Sequence, residues 1–134
     1  MAKLILNQGL QFEGDLLYGI NGPPAKLQTM AVDDATGALA AGNTKLNDRA
    51  GYTQLVAKAF DTTPTRSAQT VTCITTFSTS EANFTIRAVT LHNTVAGSTT
   101  ATSTGLWGGI DGQTFGKTSD FALAITLQVL FSSV

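Results

Sequence analysis

Charge is what this chain has least of. Lys, Arg, Asp and Glu make up 13% of its 134 residues, about half the ~25% usual in soluble globular domains. Eight basic residues stand against nine acidic ones, for a formal net charge of −1. With no basic surplus, nucleic-acid binding loses its main electrostatic driving force. A single cysteine, Cys73, excludes an intrachain disulfide and a cysteine-based zinc site. A single histidine, His92, excludes multi-histidine metal sites. No apolar run approaches the roughly 18 residues that a membrane-spanning helix needs. The opening Met1-Ala2-Lys3-Leu4-Ile5-Leu6 is interrupted by Asn7-Gln8-Gly9, which does not read as a signal peptide.

Hydroxyl side chains stand where charge is missing: 22 Thr and 8 Ser, 30 residues of 134. The charge that remains is uneven. Twelve charged residues fall in 1–66, whereas 67–134 holds five: Glu81, Arg87, Asp111, Lys117 and Asp120. Interface cores are depleted in Lys, Glu and Asp, so the second half is expected to be covered by other chains. A Thr-rich β-surface in contact with water is the plainer alternative.

Along the chain, Leu6, Leu10, Leu17 and Ile20 recur near helical spacing, which predicts a short amphipathic helix or arm within 1–20. Asn21-Gly22-Pro23-Pro24 then breaks regular structure. Residues 27–32 read as a short strand and 33–43 as a small-residue loop. Asp33 and Asp34 in that loop suit Asx turns, because the spaced oxygen ligands of a calcium loop are missing. From about residue 50 the pattern turns to β. Strands are expected over 52–60, 69–79, 82–92 and 100–110. The second places Val71, Cys73, Thr75 and Phe77 on one face, and the third Phe84, Ile86 and Ala88. Gly105, Gly108, Gly109 and Gly112 read as turn and bulge glycines. In the last strand Phe121, Leu123, Ile125, Leu127, Val129 and Phe131 alternate with small or polar residues. Such an apolar strand must sit inside a sheet or pair with another chain. The fold class expected is mainly β: a single-domain β-sandwich or jelly-roll-like barrel over 27–134, behind an N-terminal helix or arm.

Little in the chain suggests catalysis. Cys73 sits among apolar neighbours as a buried thiol. His92 lies at a strand end beside Asn93, and no spacing ties it to Glu81 or Asp120. There is no G-x-S-x-G elbow and no phosphate-binding glycine pattern. Asn83-Phe84-Thr85 matches the glycosylation sequon by chance on a strand. Trp107, the lone tryptophan, reads as a core or interface aromatic ahead of a sugar platform.

The stretch from Ala31 to Leu46, AVDDATGALAAGNTKL, resembles a "G-x-G-T-x-x-x-A-x-x-x-D-T-x-L" segment of small structural proteins of tailed bacteriophages. Val32-Asp33-Asp34 stands where that pattern has Gly-x-Gly. Phe84-Thr85-Ile86-Arg87 resembles the start of the F-x-I-x-E strand of the same proteins. The closing amphipathic run, 119–131, is similar to theirs. The resemblance implies a virion protein without catalytic, cofactor or metal sites. Its expected role is that of a capsid cement (head decoration) protein, a β-barrel or jelly-roll homotrimer on the capsid exterior, made in the bacterial host cytoplasm. Its expected partners are the major capsid protein and itself, with no nucleic acid and no membrane. A tail, collar or baseplate component is the alternative, and a receptor- or glycan-binding module a third reading. Two contact regions are expected. Leu4, Leu6, Leu10 and Phe12 form either an arm on a neighbour or a helix closing the chain's own barrel. Trp107 and Ile110, in the 105–112 segment, form either a contact tip or an ordinary hairpin.

Overall fold

The computed structural model describes residues 3–5, 27–45, 48–93 and 105–130. Within them the chain is mainly β and antiparallel. The strands are β1 (Lys3–Ile5), β2 (Thr29–Asp33), β3 (Leu55–Ala59), β4 (Thr65–Ser67), β5 (Thr70–Phe77), β6 (Thr85–Ile86), β7 (Ala88–His92), β8 (Leu106–Ile110), β9 (Phe115–Gly116) and β10 (Leu123–Leu130). Sheet A has the order β1-β8-β7-β2-β3, sheet B the order β10-β5-β4, and β6 pairs with β9 in a small third sheet.

Period-two patterning sets the register of sheet B. In β10 the burial alternates along the whole strand, with Leu123, Ile125, Leu127 and Val129 turned inward. They stand opposite Phe77, Thr75, Cys73 and Val71 of β5. A one-residue slip would turn both apolar rows to water, so the register is strongly specified. The rows pack against Met30, Val32, Val89, Leu91 and Trp107 of sheet A, and sheet on sheet makes a β-sandwich. Thr75 interrupts the inner row: it is fully buried and its hydroxyl has no hydrogen-bond partner.

The inner strands β2 and β7 of sheet A are buried on both faces and have no exposed residue. Their second face carries Ala31, Asp33, Thr90 and His92, and Ala31 packs there with Leu39 and Leu106. Leu39 belongs to the connection between β2 and β3, which lies over this face. The connection is held by buried charge. Arg49 and Asp33 are 4% and 2% exposed, and Nη1 of Arg49 reaches both Asp33 carboxylate oxygens at 2.7 and 2.6 Å. The remaining guanidinium nitrogens donate to the carbonyls of Ala35 (3.3 Å) and Gly37 (2.8 and 3.1 Å). Asp111 Oδ2 accepts the Leu39 amide at 2.7 Å, fixing the far part of the same segment.

The structure differs from the sequence expectations in four places. Leu4 and Ile5, expected in a helix, belong to β1, which pairs with β8; 6–20 lie outside the described residues. The strand expected over 82–92 is broken at Arg87, whose amide donates to the Asp33 carbonyl and whose carbonyl accepts from Gln113. Facing parity changes there, so Ile86 and then Val89 and Leu91 enter the core, while Ala88 turns to the other face. Gly108 and Gly109 lie inside β8. A Cβ on Gly109 would run into the Val89 carbonyl and the Thr90 backbone, so glycine there permits close strand approach. The bulge falls on Trp107, because Leu91 pairs with Gly108 and His92 with Leu106. Phe121 precedes β10, is 38% exposed and stacks edge-on against Phe115 at 6.1 Å.

Replacing the orphan hydroxyl by a methyl group removes a desolvated polar atom without changing shape. Thr75→Val is therefore expected to stabilise the domain by about 1–2 kcal/mol, read as an increased urea midpoint at unchanged m-value; a decrease would show that the hydroxyl has a partner.

Candidate interaction surface

Among the described residues, the hydrogen bonds that join the two sheets run along one side. Beyond β3, the Asp61 amide donates to the Ile74 carbonyl at 2.9 Å. The Asp61 carboxylate accepts the Thr76 amide and hydroxyl at 3.1 and 2.6 Å, and these bonds hold it below the usual carboxylate range. Lys58 Nζ reaches the Thr76 carbonyl at 2.8 Å and Glu81 at 3.0 Å.

On the other side, β8 of sheet A and β10 of sheet B flank an open cleft of about 870 Å³. Its walls are Leu91, Trp107, Gly109 and Ile110 from sheet A and the run from Thr126 to Leu130 of β10, with Thr70 of β5. Trp107 is 7% exposed and belongs to the core, with the cleft touching it from one side. Of the contact residues expected from sequence, Trp107 and Ile110 thus come together on one wall, in a strand rather than at a hairpin tip. Leu4 is in β1, beside β8. Leu6, Leu10 and Phe12 lie outside the described residues.

Sequence reasoning singled out no residue of the outer face of sheet B. That face carries Thr70, Thr72, Ile74 and Thr76 from β5 opposite Leu130, Gln128, Thr126 and Ala124 from β10. Thr65 and Ser67 of β4 continue it. None of these side chains is charged; Ile74 is 37% and Leu130 64% exposed. The signal was present as the small and polar half of the alternation in 121–132, next to the hydroxyl-rich 70–76.

Many polar groups of the described residues bond within the chain itself. Asp34 accepts the amides of Thr53 and Gln54. Asp48 accepts those of Thr44 and Lys45, and the Thr44 amide leads in holding its carboxyl below the usual range. Burial pushes the Asp33 carboxyl up, against the pull of the Arg49 guanidinium. A polar pocket of about 370 Å³ lies where the 35–38 segment meets Arg87 and 111–114, with Arg49 and Asp111 in its wall. Burial raises the Cys73 thiol to about 11, so it stays protonated at neutral pH. His92 is fully buried; Nε2 bonds the Thr90 hydroxyl at 2.9 Å, Nδ1 has no partner, and burial lowers its pKa to about 4. No group of three or more metal-ligating side chains occurs among the described residues.

Comparison with known protein families, curated proteins and solved structures gives no match.

Two outcomes follow from these buried groups. Arg49→Met leaves the Asp33 carboxylate buried without its counter-charge and is expected to cost about 3–5 kcal/mol. Lys58→Met, whose ion-pair partners are one-third exposed, is expected to cost about 1 kcal/mol or less. Urea denaturation of both variants checks the contrast, and equal losses would contradict it. For His92 the folded pKa lies below the unfolded one, near 6.5. Its contribution is complete above pH 6.5 and is lost as the pH falls from 6.5 to about 4, by on the order of 3 kcal/mol. His92→Gln is expected to flatten the stability profile in that window, and an unchanged slope would assign the acid sensitivity elsewhere.

Proposed function

We propose that this protein is a capsid cement (decoration) protein of a tailed bacteriophage. It binds the outer capsid lattice between capsomers, as a homo-oligomer, and stabilises the mature expanded head. The observation that carries this reading is the outer face of sheet B, where β4, β5 and β10 present no charged side chain of their own, together with the cleft beside β10. Interface cores are depleted in charge in the same way. The resemblance of 31–46 and 84–87 to phage structural proteins supplies the class of partner, the major capsid protein.

The mechanism is linkage. A ligand that binds the expanded lattice and not the compact one shifts the balance toward the expanded form by its binding free energy there. At a free concentration of about 100 times Kd this amounts to roughly 2.7 kcal/mol per site. The protein needs no reactive group for this, only a rigid shape that fits one spacing of subunits. The stitched side of the sandwich and the burial of β2 and β7 on both faces supply that rigidity.

Copy number tests the reading. Mass spectrometry of purified virions is expected to find this chain at a ratio near one to the major capsid protein. A handful of copies per particle would overturn the cement reading in favour of a tail, collar or baseplate component, and absence from the particle would overturn both.

A further inference from the structure

The edges of the two sheets are not treated alike. β1 and β4 are each three residues long, and β4 carries Arg66. β3 carries Lys58. Shortness and charge are the usual means by which strand edges avoid pairing with other chains. β10 has neither. It is eight residues long, LAITLQVL, with no charge, proline or glycine. Among the described residues it pairs with β5 alone and forms the border of sheet B. Its border also adjoins the cleft whose opposite wall holds Trp107 and Ile110.

We propose that β10 is a docking strand for β10 of a second copy of this chain. The two strands pair antiparallel about a two-fold axis and join two copies of sheet B into one. The argument is self-complementarity. An axis through Thr126 sets Leu123 opposite Val129, Ala124 opposite Gln128 and Ile125 opposite Leu127. Apolar residues then meet apolar ones on the inner face, and small and polar residues meet on the outer face. This is what antiparallel pairing requires, since directly opposed residues share a face. A register offset by one residue would set inner rows against outer rows. Because β10 holds no charge, two copies meet without like-charge repulsion, and the strand carries no charged feature that would select a different sequence. An isologous contact of this type is the commonest way identical chains associate. It requires no capsid, so it stands or falls apart from the proposed virion role.

The test uses the purified full chain. Light scattering is expected to give the wild type twice the molar mass of the double variant Thr126→Lys/Gln128→Lys. Both positions are exposed, so circular dichroism is expected to show the same fold in both proteins. A second measurement does not depend on added charge. Under mild oxidation Thr126→Cys is expected to form an interchain disulfide, whereas Ile74→Cys, on the same outer face but on β5, is expected to stay reduced. A wild-type mass equal to that of the double variant would overturn the proposal. So would equal cross-linking at both positions, which would indicate random collision.

Discussion

One buried ion pair organises sheet A. Asp33 closes β2, and Arg49 lies sixteen residues later in a connection with little regular structure. The guanidinium binds both carboxylate oxygens and two loop carbonyls, so a single side chain ties the start of the connection to the sheet. A buried charge pair is weak evidence of net stability, because desolvation offsets most of the attraction. Its effect is geometric. With the connection held down, the second face of sheet A is covered, and Ala31 packs there with Leu39 and Leu106. Without the pair that face would meet water.

The same constraint explains what was legible in the sequence. β5 and β10 are covered on one face, and period-two reading found both and oriented their inner rows correctly, from Val71 to Phe77 and from Leu123 to Val129. β7 alternates as well, Val89 and Leu91 against Thr90 and His92, but a strand read unbroken over 82–92 carries the parity of Phe84 and Ile86 to Ala88 and so turns β7 the wrong way. The parity change at Arg87 was invisible because its cause is distant in sequence: the Asp33 carbonyl and the Gln113 amide. Gly108 and Gly109 resembled a turn because their strand role depends on how near β7 approaches. Nor did any local pattern announce that Asp33 and Arg49 would meet.

The surface was legible in composition and not in position. Low charge in 67–134 pointed to contacts, and the described part of that half builds all of β5 to β10. Which strands would lie at a border, and which side of the sandwich would be stitched, depended on topology. The contrast between the Asp61–Thr76 side and the cleft side is a three-dimensional fact. It turns two ordinary apolar residues, Trp107 and Ile110, into one wall of a single feature.

The position of Trp107 gives this protein an optical property. It is the only tryptophan in the chain, it sits in the core, and one side of it meets the cleft next to β10. Its fluorescence therefore has a single origin: emission from an apolar site in the native protein, shifted to the red on unfolding. Anything that enters the cleft changes the surroundings of that one indole without disturbing the rest of the spectrum, so occupancy and unfolding leave different spectral signatures in the same unlabelled protein.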